Sequence, residues 1–149
     1  MIDRTIKVKE IMTTEVLTLL GDRPMKEAAD IFENNDLHHI PVVSKKNKVK
    51  GILSRAEYYQ LLHGFTFFKA RIAKKFNEEI FNSVTTGEVM TRPVATLYPD
   101  NTLEQAMVYF RENLFHSAPV VNRKTKKLEG IITTFDLLNH AYKDETLVS

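Results

Sequence analysis

An internal repeat is the feature of this sequence that most constrains its fold. Thirteen residues recur in the same order 78 positions further along the chain: Glu10, Met12, Thr13, Thr18, Leu19, Asp22, Ala28, Phe32, Asn35, His38, Pro41, Val42 and Val43 recur as Glu88, Met90, Thr91, Thr96, Leu97, Asp100, Ala106, Phe110, Asn113, His116, Pro119, Val120 and Val121. The offset then grows by one, since Gly51 recurs as Gly130, so the second copy has one extra residue in its polar loop, residues 123–127. The shared positions span helix-like, strand-like and turn-like stretches, which indicates that a whole folding unit was duplicated.

The repeat divides the 149 residues into a first unit at 8–62, a connector at 63–85 and a second unit at 86–142. Units of roughly 60 residues are marginally stable alone. We therefore expect the two units to be related by a pseudo-twofold axis and to form one compact body.

Composition excludes several classes of protein. The chain is 43% hydrophobic and 27% charged, as ordinary soluble proteins are. A net charge of +2 argues against a dedicated nucleic-acid binder, and the absence of cysteine excludes disulfides and thiolate chemistry. No apolar run approaches the roughly 18 residues of a membrane span, and residues 1–10 lack the apolar core of a secretory signal. The sequence predicts a cytoplasmic protein without membrane insertion.

Each half has the pattern of an α+β unit, in the order β-α-β-β-α. The strands are predicted at 16–19, 39–43 and 49–53 in the first half, and at 94–97, 117–121 and 128–132 in the second. A capping box is expected where Thr102 precedes Glu104 and Gln105. The long helices are expected to end at Asn35 and Asn113, because asparagine tolerates the left-handed conformation common at helix ends.

These motifs resemble the cystathionine-β-synthase (CBS) domain. The resemblance lies in Met-Thr before the first strand, a threonine within it, Pro-Val-Val in the second strand, and the order Gly, two apolar residues, Ser or Thr, and an acid three positions later. It covers residues 8–62 and 86–142, and two copies in one chain are similar to the tandem CBS pairs of stand-alone bacterial proteins and of regulatory modules. The resemblance implies a module that binds an adenosine-containing ligand.

The strongest binding candidate is the stretch from Gly130 to Asp136, where a strand meets the N-terminus of a helix. Free N–H groups and the helix dipole suit a phosphate or ribose hydroxyls there, and a carboxylate can accept bonds from two vicinal hydroxyls. Thr133 and Asp136 could equally form only a capping box. The resemblance implies that Thr96, Thr133 and Asp136 line an adenosyl pocket and that Asp136 holds the ribose.

The full ligand-binding set that we predict comprises Thr96, His116, Ser117, Ala118, Pro119, Thr133 and Asp136 in the second unit and Thr18, His38, His39, Ile40, Pro41, Ser54 and Glu57 in the first. The first unit departs from the family pattern, because Glu57 stands where the aspartate is expected. Its carboxylate lies about one methylene further out, and Ser54 with Glu57 has the pattern of a helix cap. Ribose binding and capping are both open for this unit.

The histidines do not indicate a metal site. His38 and His39 would point to opposite faces of an extended chain, and no carboxylate stands near them in sequence. We expect His38, His39 and His116 to lie beside a phosphate pocket or to pack as polar residues.

The connector is rich in phenylalanine, with Phe65, Phe67, Phe68, Phe76 and Phe81. Phe68, Ile72, Phe76 and Ile80 recur every fourth residue, which predicts an amphipathic helix. Packing in the core, a homodimer or partner contact and binding to a membrane surface are the alternatives for its apolar stripe.

The sequence shows no Gly-rich phosphate loop, nucleophile elbow or zinc-protease helix, so an enzyme is disfavoured and no cofactor or metal is expected. We predict a homodimeric sensor of AMP, ADP, ATP or S-adenosylmethionine that signals to an unidentified protein through a change of shape. The alternative is a ligand-free structural dimerisation adaptor.

Overall fold

The structure, a computed structural model, describes residues 3, 5–64, 70–92, 95–113 and 115–146. The chain forms two compact units: a central unit, Leu17–Val94, and a terminal unit that combines Met1–Val16 with Ala95–Ser149. These units cut across the sequence repeats. The segment that starts each repeat belongs to the unit built mainly from the other repeat.

The helices and strands, in chain order, are α1 (Val8–Ile11), β1 (Leu19–Leu20), α2 (Met25–Asn34), β2 (His39–Val43), β3 (Val49–Ser54), α3 (Arg55–Leu62), α4 (Ala70–Ser83), α5 (Thr86–Val89), α6 (Leu103–Asn113), β4 (Ser117–Val121), β5 (Leu128–Thr133) and α7 (Thr134–Thr146). The predicted α+β class with two similar halves is confirmed. Within the described ranges, no helix combines the length and hydrophobicity that a membrane span needs.

Three strands form the sheet of the central unit, in the order β1-β2-β3. β1 pairs in parallel with β2, and β2 pairs antiparallel with β3. Ile40, Val42 and Leu53 are fully buried in this sheet. They pack against Met25 and Phe32 on one side of α2, whose apolar residues recur at helical spacing.

The terminal unit repeats this sheet with a shorter edge. β4 and β5 pair antiparallel, and the place of β1 is taken by a single parallel bridge between Leu97 and Val120. The predicted bounds of the first strand, 16–19, are wrong, since β1 covers only Leu19–Leu20. Of the strand predicted at 94–97, the described residues 95–97 contain only the bridge at Leu97. In the second copy the pairing is confined to Leu97, and the N–H of Tyr98 donates to Oδ1 of Asn101 at 2.7 Å.

The Met-Thr pair of each repeat crosses a glycine of the neighbouring strand. Thr13 exchanges two backbone hydrogen bonds with Ile131, both 2.9 Å long. A β-carbon on Gly130 would lie 2.7 Å from the carbonyl oxygen of Thr13, and one on Gly51 would lie 2.8 Å from that of Thr91. Only glycine fits such a close approach of two backbones, which explains why Met-Thr and glycine recur together.

The long helices end by a side-chain bond. Asn35 has a φ of −136°, so the expected left-handed ending is wrong at this residue. Its amide nitrogen donates to the carbonyl of Ile31 at 2.9 Å, and Asn113 makes the equivalent bond. Each amide satisfies a carbonyl of the last helical turn, which has no partner within the helix. Positive φ occurs in the hairpin turns, at Asn47 and Lys126.

The described part of the connector belongs to the core of the central unit. Helix α4 packs against α2, and the buried ring of Phe81 lies edge-on to Tyr58 with 5.8 Å between centroids. The side-chain amide of Asn77 donates to the carbonyl of Leu62 at 2.9 Å. Phe81 is not part of the predicted apolar stripe, which consists of Phe68, Ile72, Phe76 and Ile80.

Most of that stripe lies outside the described residues. This applies to Phe68 and to the side chains of Ile72 and Phe76, and Phe65 and Phe67 of the connector also lie outside the described residues. The helical prediction for the connector is confirmed over Ala70–Ser83.

Candidate functional site

In the terminal unit, β5 passes directly into α7 at a reciprocally bonded junction. The N–H of Asp136 donates to Oγ1 of Thr133 at 3.1 Å, and the N–H of Thr133 donates to Oδ2 of Asp136 at 2.8 Å. This is a capping box. It fixes the carboxylate of Asp136 at the positive end of a 13-residue helix through one of its two oxygens, and both side chains are half-buried.

The central unit builds the same junction with a longer acid. The N–H of Glu57 donates to Oγ of Ser54 at 3.1 Å. The N–H and the hydroxyl of Ser54 both donate to Oε1 of Glu57, at 3.1 and 3.0 Å. The predicted capping box is present, and here one oxygen accepts two bonds because the extra methylene lets the carboxylate fold back onto its own cap.

The predicted histidines lie beside these junctions. The carbonyl of His116 accepts the N–H of Thr134 at 2.9 Å, and that of His38 accepts the N–H of Arg55 at 2.8 Å. Both imidazoles belong to exposed residues. The backbone carbonyl of each histidine thus accepts a bond from the first residue of the following helix, a contact that does not depend on the side chain.

The strand register brings the other predicted residues next to the junctions. Ser117 pairs with Thr133, and Ala118 and Pro119 follow along β4. In the central unit His39 pairs with Ser54. The list of predicted residues thereby occupies one end of the antiparallel strand pair in each unit: Ser117, Ala118 and Pro119 with Thr133 and Asp136, and His39, Ile40 and Pro41 with Ser54 and Glu57.

The two predicted threonines, Thr96 and Thr18, lie on the other side of the second strand from the junction. Thr96 precedes Leu97, whose N–H donates to the carbonyl of Pro119 at 2.9 Å. Thr18 precedes Leu19, which pairs with Val42. Each half-buried threonine therefore lies beside the second strand of its unit, across from the junction formed by the third strand.

The described residues contain no group of three histidine, aspartate or glutamate side chains arranged to hold a metal ion. The two strand–helix junctions present hydroxyls, a carboxylate and backbone amides at the ends of β-strands. Such groups can bind hydroxyl-bearing and phosphate-bearing small molecules.

Comparison with protein-family models matches residues 8–64 and 87–143 to the CBS domain. The chain belongs to the CBS-domain family. Its two matched segments make it a CBS pair, in agreement with the predicted resemblance.

Two relatives align with most of this chain. The pair is 29% identical over 140 residues to an uncharacterized protein of Methanocaldococcus jannaschii, covering 94% of this chain and 29% of that protein. It is 29% identical over 127 residues to a homoserine O-acetyltransferase of Methanosalsum zhilinae, covering 85% of this chain and 22% of the enzyme. This chain therefore spans less than a third of the length of either relative.

Solved structures share the fold. The CBS domain pair of protein MJ0100, in complex with 5′-methylthioadenosine and S-adenosyl-L-methionine, matches with a TM-score of 0.72 at 23% identity, covering 94% of this chain and 98% of that one. CBSX2 in complex with AMP matches with a TM-score of 0.73 at 20% identity, covering 93% and 98%.

One residue that the sequence reasoning missed distinguishes the two units of the CBS pair. Arg55, the first residue of α3, donates from its guanidinium to the carbonyls of Phe32 and Asn35, both at 2.8 Å, and of Leu37 at 2.9 Å. It closes the C-terminal end of α2, where carbonyls lack helical partners. Thr134 takes this position in the terminal unit, and the difference between the two repeats was the available signal.

A surface pocket lies at this place in each unit, with different chemistry. The central pocket, about 490 Å³, is lined mainly by polar residues, including Glu33, Asp36 and Arg55. The terminal pocket, about 470 Å³, is lined mainly by apolar side chains, including Phe110 and Phe115. Of the predicted ligand-binding residues, His38 lines the central pocket and His116 lines the terminal pocket.

Proposed function

We propose that this CBS pair is a non-catalytic cytoplasmic regulator that binds an adenosine-containing ligand, AMP, ADP, ATP or S-adenosylmethionine, and passes the signal to a partner protein as a homodimer. Two solved CBS pairs of the same fold support the ligand class, since one holds 5′-methylthioadenosine with S-adenosyl-L-methionine and another holds AMP. The ligand would act by favouring one of two shapes of the protein.

The junction of Thr133 and Asp136 carries the proposal. A carboxylate has about four acceptor positions, and the cap of α7 uses Oδ2 of Asp136 once. The remaining acceptor capacity, held at a helix N-terminus, suits the two vicinal hydroxyls of a ribose. Thr96, His116, Ser117, Ala118 and Pro119 would complete the site.

The central unit would bind the same ligand less well. Its candidates are Thr18, His38, His39, Ile40, Pro41, Ser54 and Glu57. Oε1 of Glu57 already accepts two bonds from Ser54, so the carboxylate is committed more fully to the cap. We therefore expect the terminal unit to dominate the affinity.

A ligand-free structural adaptor is the second candidate function. Asp136 and Glu57 both make capping boxes, and a protein that binds no ligand would need these helix caps as well. Thermal unfolding with AMP, ADP, ATP, S-adenosylmethionine and GTP separates the two. A ligand at 100 times its Kd adds about 2.7 kcal/mol, which raises Tm by roughly 5–10 °C at this chain length. If no adenine compound at millimolar concentration shifts Tm by more than about 1 °C, the adaptor reading replaces the sensor.

Calorimetric titration of variants tests the role of Asp136 in ligand binding. Asp136→Ala removes hydrogen bonds to a charged acceptor worth about 1.5–3 kcal/mol, or roughly ten- to a hundred-fold in Kd. Asp136→Asn keeps a capping oxygen and should fall between wild type and alanine. Glu57→Ala is the matched control and should weaken binding less. Equal losses at both positions would indicate two equivalent sites, and unchanged affinity in Asp136→Ala would remove Asp136 from the site.

A further inference from the structure

The pocket of the terminal unit is an apolar cleft between the end of α6 and the start of α7. Its volume of about 470 Å³ lies within the roughly 300–1,000 Å³ of small-molecule sites. Thr96, Thr133 and Asp136, to which the adenosine ligand is assigned, do not line this pocket, and His116 does. The pocket therefore lies beside the proposed adenosine site and shares His116 with it.

The apolar walls of this pocket are held by packing within the unit. Phe110 is only 7% exposed and belongs to the core, and Leu137 packs against that core. The ring of Phe115 lies beside that of Tyr109, with 6.2 Å between centroids. The hydroxyl of Tyr109 in turn donates to the carbonyl of Ala95 at 2.8 Å. A cavity with walls fixed in this way loses little free energy to reorganisation when a ligand binds.

Two basic side chains, Arg111 and His116, line the same pocket, and none of the acidic residues that the structure describes lines it. Arg111 is exposed, and its guanidinium forms no ion pair or hydrogen bond with any of the described residues. A guanidinium can hold a carboxylate through two parallel hydrogen bonds. An apolar cleft with a free guanidinium beside it suits a ligand that has an apolar body and an anionic end.

The internal repeat shows that the fold does not require this arrangement. Glu33 stands where the terminal unit has Arg111, and Arg55 stands where it has Thr134. Both Glu33 and Arg55 line the central pocket. The guanidinium of Arg55 lies 5.3 Å from the centroid of the Phe32 ring while it closes the end of α2. The shorter Thr134 supplies no such group, so the equivalent aromatic ring of the terminal unit remains accessible from its pocket.

We propose that the terminal pocket binds an amphiphilic carboxylate, such as a medium-chain fatty acid. The apolar body of the ligand lies against Phe110 and Phe115, and its carboxylate lies on Arg111. The central pocket does not take this ligand, because Glu33 and Asp36 line it and repel a carboxylate. The site is additional to the proposed adenosine site and does not depend on it.

Calorimetric titration with decanoate tests this site, and decanol is the neutral probe of the same length. The wild type should bind decanoate about ten-fold more tightly than octanoate, because the longer chain buries more methylenes. Arg111→Gln should weaken decanoate binding by roughly ten- to a hundred-fold through the loss of charge-assisted hydrogen bonds, and should leave decanol binding unchanged. Arg123→Gln removes an exposed arginine of the β4–β5 turn. It is the matched control and should bind decanoate as the wild type does.

A second variant gives the terminal pocket the residue that the central unit has at the same position. In Thr134→Arg the new guanidinium should reach the end of α6 as that of Arg55 reaches the end of α2, and it should abolish the binding of both decanoate and decanol. Circular dichroism reports whether the variant is folded. If it unfolds, Arg111→Glu decides the matter, because this exposed charge reversal should abolish decanoate binding and keep decanol binding.

Absence of saturable decanoate binding to the wild type, as when another protein chain covers the pocket, overturns the proposal. Equal decanoate binding by the wild type and Arg111→Gln overturns it as well. AMP should not displace decanoate, and displacement would place decanoate in the nucleotide site and refute a separate pocket. Decanoate binding without any adenine-dependent rise in Tm would keep this pocket and refute the sensor, and a rise in Tm without decanoate binding would do the reverse.

Discussion

Replacing Gly130 by alanine should loosen the terminal unit where the N-terminal segment joins its sheet. The new β-carbon would lie 2.7 Å from the carbonyl oxygen of Thr13 and 2.9 Å from Sδ of Met12. The methionine side chain can move away, but the backbone oxygen is held by the two hydrogen bonds between Thr13 and Ile131. The clash must therefore be relieved by shifting one strand from the other.

Overpacking of this kind costs about 1–3 kcal/mol. Each kcal/mol lowers Tm by roughly 2–4 °C at this length, so Gly130→Ala should unfold about 2–12 °C below wild type. Urea denaturation followed by circular dichroism gives the free energy of unfolding, and hydrogen exchange at the amide of Ile131 shows whether the bridge has opened.

Gly64→Ala is the matched control, because an added β-carbon there meets nothing closer than 3.4 Å. It should be within about 0.5 kcal/mol of wild type. If Gly130→Ala were as stable as Gly64→Ala, with unchanged exchange at Ile131, the close approach of Met-Thr would not be the reason that glycine recurs.

Two further predictions concern the central unit. Burial and the bond from its hydroxyl to Oε1 of Glu33 raise the pKa of Tyr58 above its usual range. The folded protein therefore holds this proton more tightly than the unfolded chain, whose tyrosine titrates near pH 10. The stability that this proton contributes is fully present below about pH 10 and is lost as the pH rises above it. The advantage of wild type over Tyr58→Phe in urea denaturation should therefore shrink by about 1.4 kcal/mol per pH unit above pH 10. Parallel pH profiles of the two proteins would contradict this role of Tyr58. Phe81→Ala should lower the free energy of unfolding by about 3–5 kcal/mol, as for other buried aromatics, and should leave the oligomeric state in sedimentation unchanged; a variant as stable as wild type would contradict the core position of Phe81.

The sequence by itself determined the fold class and the capped strand–helix junctions at Ser54 and Thr133. A repeat conserved within one chain carries its own internal comparison, so positions such as Gly51 and Gly130 are marked as required without any structure. Short sequence patterns were equally informative where the interacting groups are close in sequence. Ser54 with Glu57 and Thr102 with Gln105 form the capping boxes that their spacing predicts, because the bonded groups are three residues apart.

The tertiary structure decided what depends on contacts distant in sequence. The exchange of starting segments between the repeats rests on strand bridges such as that of Thr13 with Ile131, and no local pattern indicates which sheet a short segment joins. The bonds from Arg55 to the end of α2 cross 18 to 23 residues, and only the folded chain brings donor and carbonyls together. The exposure of Phe135, Leu138 and Tyr142 was likewise undecided by sequence, because an apolar stripe at helical spacing is the same whether it faces a core or the solvent.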